Sequence, residues 1–359
     1  MRLLLTILVL VGLTACEGLV SDQGGGWCPS DAMAQPGPAL NLSSGTELSL
    51  GFYNLENLFD TLNDPFNTGD DWVLVEEKIG WEEGNYKIKI DNLARAISSM
   101  DESGLDILGI AEVENACVIA DLIDEPGLSQ RPYRIVHEES SDHRGIDVAL
   151  IYDPGSFQYQ AHQTFEVDYG DGYRGRSILL VEGKVNQQKL FILVNHWPSR
   201  GGGQEKTEPR RLKAAQAARD IVEDLQSRDP SAAICLMGDF NDDPLDPSIR
   251  KVLGAISYNG QYAQQPGLYN PMAPLHDPER EGSLTYRGKY NLFDQIILNG
   301  ELLTQEAALA YQPGSATIHH PNFMRFKGRG PSRAIHRGEF KPYGFSDHFP
   351  VYLKLRVKK

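Results

Sequence analysis

The fold of this chain is decided by the stretch AICLMGDFN, residues 233–241, in which five apolar residues run directly into glycine and polar residues. A short apolar run that ends in turn-forming residues is typical of a buried β-strand. The run ILGIA before Glu112 and the run LFILV before Asn195 and His196 repeat this pattern. Because ordinary strand ends do not require such residues, the polar side chains after these strands are the candidates for a functional site.

Similar β-rich runs recur along the chain, bounded by Gly, Pro, Asn or Asp as in the strands of a sandwich. The predicted strands are Leu48–Tyr53, Ile107–Ala111, Val148–Tyr152, Ile178–Val185, Leu190–Val194, Ala233–Met237, Phe293–Leu298 and Val351–Val357. Residues 90–97 and 214–225 instead have the i, i+3, i+4, i+7 spacing of helices, and Pro209 is expected shortly before the second helix. This mixture predicts an α/β fold of two packed sheets covered by helices.

The first sixteen residues have the pattern of an export signal, because Arg2 precedes an apolar run, residues 3–13, that is too short to span a bilayer. The tetrad Leu-Thr-Ala-Cys that ends at Cys16 resembles a bacterial lipoprotein cleavage box, and an ordinary secretory signal is the alternative. Acyl chains on Cys16 would anchor the protein without a transmembrane helix. We therefore expect an exported protein on a bacterial membrane, at the outer membrane, in the periplasm or at the cell surface.

Residues 17–46 are rich in Gly, Pro, Ser and Asp without periodicity, which predicts a flexible spacer. Residues 47–359 then form one large domain. After Cys16, the cysteines Cys28, Cys117 and Cys235 remain, and an odd number cannot pair completely. Cys117 and Cys235 lie beside apolar stretches and are expected to be small buried hydrophobes.

The chain has 34 Lys and Arg against 49 Asp and Glu, a net charge of −15, which argues against a protein that coats nucleic acid through a general basic face. A nuclease with an acidic metal site remains compatible with this charge. The segment Ser315–Tyr343, which we call the basic segment, reverses the sign with six Lys and Arg against the single acid Glu339. It is either a solvated loop or a phosphate-facing lip beside the site. A second predicted insertion, Thr61–Asn85, is acidic, and Trp72 and Trp81 are expected to pin it down.

The candidate residues are mainly oxygen donors and histidines. Oxygen ligands without cysteine suit a hard cation such as Mg²⁺ or Mn²⁺, with Ca²⁺ as an alternative. Two histidines with carboxylate partners suit acid–base work on a phosphoester.

The order of the motifs resembles that of the endonuclease/exonuclease/phosphatase superfamily. The matching motifs are YNLEN at 53–57, AEVEN at 111–115, NHWPSR at 195–200, GDFN at 238–241, FDQI at 293–296 and SDHFP at 346–350. The resemblance covers residues 47–357. It implies a deoxyribonuclease I-like, four-layer α/β sandwich of two packed mixed β-sheets flanked by helices, with the site at one edge. Residues 47–359 would then be a single catalytic domain.

This resemblance also implies roles for the matching residues. Glu112 corresponds to the principal metal carboxylate, with Asn54 beside it and Asp347 and Glu56 as further candidate ligands. Glu56 stands where some members carry aspartate.

The remaining matches concern acid–base chemistry. Asp239 and Asn241 resemble the pair that orients the nucleophilic water or the phosphate, with a second metal as a further alternative. His348 resembles the catalytic histidine, which Asp294 would hold in one tautomer.

His196 resembles a second histidine that only some members keep, where it can protonate the leaving group. Asp147 lies in an apolar strand, where an unpaired carboxylate would be costly to bury, and we hypothesise that it orients His196. The phosphate is expected to contact Arg176, Arg200 and Asn195, since the planar guanidinium of arginine suits phosphate.

The leading functional hypothesis is a nuclease-like phosphodiesterase that acts on DNA or RNA outside the cytoplasm. A phospholipid phosphodiesterase similar to sphingomyelinases, or a phosphomonoesterase, is the alternative on the same fold. A noncatalytic binding lipoprotein would require losses among the metal and histidine positions, and competent residues fill all of them. Nothing in the sequence demands more than a monomer or implies a protein partner.

Overall fold

The computed structural model describes residues 30–63, 69–74, 79–258, 260–261, 263, 266–304 and 306–358. Its strands are β1 (Glu47–Leu58), β2 (Ile107–Val113), β3 (Arg134–His137), β4 (Asp147–Tyr152), β5 (Gln158–Phe165), β6 (Ile178–Val185), β7 (Gln188–His196), β8 (Ala233–Asp239), β9 (Ala255–Ser257), β10 (Leu268–Asn270), β11 (Leu284–Tyr286), β12 (Lys289–Asn291), β13 (Asp294–Asn299), β14 (Leu309–Tyr311), β15 (Thr317–Ile318), β16 (Ile335–His336), β17 (Glu339–Phe340) and β18 (Val351–Val357). Every predicted strand overlaps one of these.

The α-helices are α1 (Asp71–Leu74), α2 (Glu83–Ser98), α3 (Ala116–Asp124) and α4 (Gln204–Arg228). Shorter helical turns are Ser30–Ala32, Ser248–Leu253, Ala273–Leu275, Gly300–Leu303, Asn322–Met324 and Phe326–Gly328. Both predicted helices are present, as α2 and α4. The expectation that Pro209 precedes the second helix is wrong, because α4 begins at Gln204 and Pro209 lies inside it.

The strands form two mixed sheets. The first has the order β14-β18-β1-β2-β4-β3, with β15 also paired to β18, and the second has the order β5-β6-β7-β8-β13-β10-β9. In the first sheet β1 and β2 are parallel, and in the second β7 and β8 are parallel. Parallel neighbours end at the same edge of their sheet, so their polar carboxyl ends are brought together.

The main core lies between the two sheets, and a second core lies between the second sheet and α4. Along β6, Leu179 and Val181 belong to the main core, whereas Ile178 and Leu180 belong to the second. This alternation follows from the two-residue period of a strand, and it buries both faces of the sheet. With α2 packed on the first sheet's core, the predicted four-layer sandwich is confirmed.

The described part of the predicted spacer is not a detached linker. Ala34 donates its backbone N–H to the carbonyl of Ile135 at 2.8 Å, and Leu42 donates to Asn186 Oδ1 at 2.7 Å. Residues 30–46 are therefore held against the sheets, because their backbone groups find partners on β3 and on the β6–β7 turn. The predicted signal and the lipidation site Cys16 lie outside the described residues.

The cysteines divide into two kinds. Cys235 is buried and free, as expected, whereas Cys117 is disulfide-bonded, so the expectation of a free thiol there is wrong. In the part of the chain that is described, no helix is both long and apolar enough to cross a membrane.

Of the two predicted anchors of the acidic insertion, Trp81 is buried. Its indole N–H donates to the carbonyl of Asp60 at 2.9 Å, and its ring packs edge-on against Phe340. The side chain of Trp72 lies outside the described residues.

Candidate active site

Strand direction gathers the candidate residues at one edge of the sandwich. Glu112 lies near the end of β2, and His196 and Asp239 lie at the ends of the parallel strands β7 and β8. Asp294 begins β13, which runs antiparallel to β8 and pairs Asp294 with Asp239. His348 precedes β18, which runs antiparallel to β1. Polar residues at the ends of some strands and at the starts of others therefore lie together at the same edge of the sandwich.

His348 is the best-connected histidine of the site. Its Nδ1 lies 2.6 Å from Asp294 Oδ2, and its Nε2 lies 3.8 Å from Asp239 Oδ2. Burial alone would lower the pKa of His348, but the carboxylates of Asp294 and Asp239 outweigh it and raise the pKa well above its ordinary value. The two carboxylates therefore favour the protonated form of His348, with Asp294 holding Nδ1 and with Nε2 directed at the carboxylate cluster.

The loop that carries His348 is fixed to β1. Ser346 donates its hydroxyl to the carbonyl of Asn54 at 2.7 Å, and the same hydroxyl oxygen accepts the backbone N–H of His348 at 3.1 Å. The serine of the SDH motif therefore sets the position of the histidine.

Asp239 lies at the centre of the cluster. Its Oδ2 accepts from Asn54 Nδ2 at 3.0 Å, and its Oδ1 accepts the backbone N–H of Asn241 at 3.0 Å. Burial raises the pKa of Asp239 to about 7, while the charges of His348 and Asp294 act in opposite directions. A carboxyl group with this pKa can exchange a proton near neutral pH.

Glu112 is held by two basic neighbours. Its Oε2 lies 3.6 Å from Arg144 Nη2, and its Oε1 lies 3.7 Å from His196 Nε2. Burial would raise the pKa of Glu112, but the positive charges of Arg144, His348 and Arg176 lower it below its ordinary value. Glu112 is therefore ionised, as a metal ligand must be.

The hypothesis that Asp147 orients His196 is wrong. Asp147 Oδ2 instead lies 3.3 Å from His137 Nε2, and His196 Nε2 lies 3.6 Å from Asp239 Oδ2. Burial, with the charges of Arg176 and Arg144, lowers the pKa of His196 well below its ordinary value. The lowered pKa favours the neutral form of His196, and its role as a donor to the leaving group stays a prediction.

Glu56 does not face the cluster as a ligand. Its Oε2 accepts the backbone N–H of Ala334 at 2.6 Å, which ties β1 to the basic segment, and Oε1 receives a longer bond from Ile335. Burial and the nearby charge of Asp347 raise the pKa of Glu56 to about 8. Both oxygens of Glu56 therefore accept hydrogen bonds from the backbone of residues 334–335, which are far from Glu56 in sequence.

Asn195 and Arg200 are also committed to internal contacts. Asn195 Nδ2 donates to the carbonyl of Leu193 at 3.0 Å, and its Oδ1 accepts the indole N–H of Trp197 at 3.1 Å. Arg200 Nη2 lies 3.0 Å from Asp242 Oδ1 and 2.5 Å from Asp246 Oδ2. Both side chains are therefore occupied by contacts within the protein, and their contact with phosphate stays a prediction.

Arg176 is buried, and its side chain is bound on two sides. Nη1 donates to Asp142 Oδ2 at 3.0 Å, and Nη2 donates to the carbonyl of Trp197 at 3.0 Å. Its charge acts on Glu112 and His196 through space, as their shifted pKa values show. Both Nη atoms are therefore occupied within the protein, and contact between Arg176 and phosphate stays a prediction.

Asn241 and Asp347 complete the set. Asn241 Nδ2 donates to the carbonyl of Trp197 at 3.0 Å, and its backbone has φ 51°, in the left-handed region. Glu112 has φ 63° and Glu56 has φ 54°. Left-handed backbone at non-glycine residues is costly and concentrates at functional sites. Asp347 lies at the rim, where its Oδ2 is 3.7 Å from Arg333 Nη2.

The donor set of the cluster fits a divalent cation. Glu112, Asp239 and Asp294 are buried carboxylates, and the ligand atoms of Asp239, Asp294 and His348 lie within 4.8 Å of one another, so a cation here would have oxygen donors close at hand. Burial, with the nearby charge of Asp294, raises the pKa of Asp239, and a bound cation would favour its ionised form. Oxygen donors without sulfur suit a hard cation.

Two basic residues of the site were not predicted. Arg144 pairs with Glu112 and donates to Asn57 Oδ1, and Lys89 is buried with its Nζ donating to the carbonyl of Leu55 at 2.7 Å. Arg144 could have been suspected, because it precedes β4 at the edge where the motifs gather. Lys89 lies two residues after the exposed Lys87 on the same helix, so the sequence does not distinguish it from an ordinary surface lysine.

Two packed mixed sheets with a carboxylate and histidine cluster at one edge are the architecture of the deoxyribonuclease I-like fold. A sequence profile described as Endonuclease/Exonuclease/phosphatase family matches residues 49–357, and the chain belongs to that family.

Several solved structures share the fold. Truncated Caenorhabditis elegans TDP2 is 16% identical with a TM-score of 0.51, covering 86% of this chain and 97% of that one. D. rerio TDP2 complexed with single strand DNA product is 15% identical with a TM-score of 0.52, covering 87% and 99%. An endonuclease/exonuclease/phosphatase from Bacteroides vulgatus is 14% identical with a TM-score of 0.51, also covering 87% and 99%. Identities this low show the fold alone. No curated protein sequence matches the chain.

Proposed function

We propose that this protein is a divalent-metal-dependent phosphodiesterase that hydrolyses nucleic acid outside the cytoplasm. The observation that carries the proposal is the buried cluster of Glu112, Asp239 and the His348–Asp294 pair, which adjoins the basic segment in a chain of net charge −15. The cluster supplies the chemistry of phosphoester hydrolysis, and the basic segment supplies the charge that attracts a polyanion.

The proposed role of each side chain follows from its charge state. His348 holds a proton at Nε2 and can donate a hydrogen bond to a phosphoryl oxygen, while Asp294 fixes its Nδ1. Asp239, with its pKa near 7, is suited to accept a proton from an attacking water, and Asn54 orients it. A divalent cation held by Glu112, with Asn54 and Asp347 as further candidates, would supply charge compensation for the phosphoryl oxygens. We propose Mg²⁺ or Mn²⁺ for this position.

The basic segment provides the contacts expected for single-stranded nucleic acid. Arg329 and Arg337 are exposed and form no ion pair with a carboxylate in the described ranges. The rings of Phe326 and Tyr343 are 59% and 87% exposed. Arginines that meet phosphates, with rings that can stack on bases, are typical of single-strand binding surfaces. D. rerio TDP2 holds a single-stranded DNA product on the same fold, but the proposal depends on the residues of this chain.

Export and lipid anchoring are part of the proposal. The predicted signal and Cys16 support them, and so does the disulfide at Cys117, because structural disulfides persist mainly outside the reducing cytoplasm.

A phospholipid head group is the second candidate substrate. Phe326 is exposed next to Lys327, whose ammonium lies 5.2 Å from the ring centre. An aromatic ring beside basic residues can also rest in the interface of an anionic membrane. Phosphomonoesters would need the same chemistry with a smaller substrate.

The test is a substrate panel with one purified preparation in Mg²⁺ or Mn²⁺, with and without EDTA. The panel contains single-stranded DNA, plasmid DNA, RNA, sphingomyelin vesicles and p-nitrophenyl phosphate. We expect metal-dependent cleavage of nucleic acid that EDTA abolishes. Turnover of sphingomyelin or the monoester with nucleic acid untouched would overturn the substrate and leave the site assignment standing.

A further inference from the structure

A second group of possible metal ligands lies where β3 ends and β4 begins, and it shares no residue with the catalytic cluster. His137 ends β3 and Asp147 begins β4, and their side chains are only 4% and 2% exposed. His137 Nε2 and Asp147 Oδ2 lie 3.3 Å apart, yet neither atom has a hydrogen-bond partner in the described residues. Buried polar atoms without a partner are costly and rare, so this pair requires an explanation.

A third donor completes the group. A carboxylate oxygen of Glu139 lies within 4.8 Å of the other two ligand atoms, and Glu139 itself is exposed. Zinc binds nitrogen and oxygen ligands at about 2.0–2.2 Å in tetrahedral sites, which puts neighbouring ligand atoms about 3.3–3.5 Å apart. The separation of His137 Nε2 and Asp147 Oδ2 matches that spacing.

We infer that His137, Asp147 and Glu139 form a binding site for a first-row transition cation of the zinc class, separate from the catalytic centre. One imidazole and two carboxylates favour zinc over the hard cations, which prefer sets of oxygen ligands alone. Water would complete the fourth position, and the exposed Glu139 gives the ion a path from solvent.

The surroundings of Asp147 prepare one oxygen for the ion. Its Oδ1 accepts the backbone N–H of Ser140 at 2.9 Å, so the carboxylate is held in place and Oδ2 points at His137. Hydrogen bonds of this kind orient the ligands of metal sites and strengthen binding.

The same contacts connect the ion site to the catalytic edge through the β3–β4 loop. Ser140 Oγ accepts the backbone N–H of Asp142 at 3.3 Å, and Asp142 Oδ1 accepts that of Arg144 at 2.9 Å. Arg144 then pairs with Glu112, and Asp142 also holds Arg176. A bound ion at the base of this loop would fix the two basic side chains that set the charge around Glu112. It would act as a positioning element without touching the substrate.

The test measures zinc bound by the protein in excess Mg²⁺, which competes for sites made of oxygen ligands alone, followed by removal of free metal. We expect wild type to retain one more equivalent of zinc per protein than His137→Ala. The control Glu138→Gln changes the exposed neighbour of Glu139 and should retain as much zinc as wild type. Zinc should also raise the melting temperature of wild type and of the control, and not that of His137→Ala.

Glu139→Gln guards against misfolding, because that side chain is exposed and its replacement leaves the core intact. We expect it to weaken zinc binding at least about 10-fold. Equal zinc content and an equal thermal shift in wild type, His137→Ala and Glu139→Gln would overturn the inference. None of these readouts depends on the substrate or on catalysis, so they stand apart from the proposed function.

Discussion

The burial of the Glu114 carboxyl group makes the stability of the fold depend on pH. Its Oε2 accepts the backbone N–H of Asp60 at 2.6 Å, and burial, with the nearby charge of Asp60, raises its pKa from 4.5 to about 8. A carboxyl group whose pKa is higher in the folded state stabilises the fold at low pH. That contribution disappears as the pH rises through the folded-state pKa.

Replacing Glu114 should therefore change the pH dependence of folding. We expect Glu114→Gln to be more stable than wild type at pH 9 by on the order of 2 kcal/mol, and close to wild type at pH 5. Thermal unfolding at both pH values measures this, with the exposed Glu102→Gln as control. An equal change at both pH values would contradict the account of the raised pKa.

At the scale of single residues, the sequence predicts where a residue lies in the fold better than it predicts which groups its side chain contacts. Asp239 and His348 are recognisable because their motifs follow strands that must meet at one edge. Glu56 and Arg200 carry the same chemical groups, but their oxygens and nitrogens are used by loops at residues 334–335 and 242–246. Such pairings depend on long-range packing, which no local pattern encodes. The same holds for Asp147, whose partner His137 lies on the neighbouring strand.

At the scale of elements, the longer strands and helices were predictable because their apolar patterns are continuous. β3, with four residues, and the short strands after residue 254 were not predicted, because so few residues carry no period. β5, with eight residues, was not predicted either, because its residues are mostly polar and only Tyr159 among them is buried. α3 was also not predicted. Its start is set by Asn115, whose Oδ1 accepts the backbone N–H of Cys117 at 2.9 Å and of Val118 at 3.1 Å.

Loss of this cap should destabilise α3 directly. We expect Asn115→Ala to lower the free energy of unfolding by about 1 kcal/mol, and Asn115→Ser, which keeps an acceptor, to lower it by less. Urea denaturation of the three proteins measures the difference. Equal stability of the alanine and serine variants would show that the cap does not matter.

Gly238 tests the close approach of β7 and β8 that brings His196 to Asp239. A Cβ atom there would overlap the carbonyl oxygen of Asn195 and lie 2.7 Å from its Cβ. We expect Gly238→Ala to destabilise the fold by about 2–4 kcal/mol, since backbone atoms must move apart. Gly84→Ala in α2, where nothing lies within 4 Å, should have no such cost. Melting temperatures distinguish the two, and a similar result for both would be inconsistent with this packing.

At the scale of the whole molecule, charge is unevenly distributed. The chain carries −15 in total, yet the basic segment presents exposed arginines beside the site. The reversal of charge in the basic segment is visible in the sequence. The hydrogen bond from the backbone N–H of Ala334 to Glu56 joins this segment to β1 at the catalytic edge.

Binding of single-stranded DNA should therefore depend on salt through this segment. We expect the double variant Arg329→Gln/Arg337→Gln to bind more weakly and to reduce the slope of log K against log salt by about 1 for each phosphate that the segment no longer neutralises. Arg228→Gln, at the exposed end of α4, is the matched control. Fluorescence anisotropy across a salt series measures the slope. A slope that the double variant leaves unchanged would remove the basic segment from substrate binding.

The most direct test of the central claim is the rate of phosphodiester hydrolysis by wild type and His348→Ala under saturating Mg²⁺ or Mn²⁺. His162→Ala, a histidine on β5 that pairs with Glu138, is the control, and melting temperatures establish that all three proteins are folded. The account predicts that His348→Ala lowers kcat by about 10²–10⁴-fold while the control retains the wild-type rate. A folded His348→Ala variant with undiminished activity would contradict the assignment of this cluster as the catalytic centre.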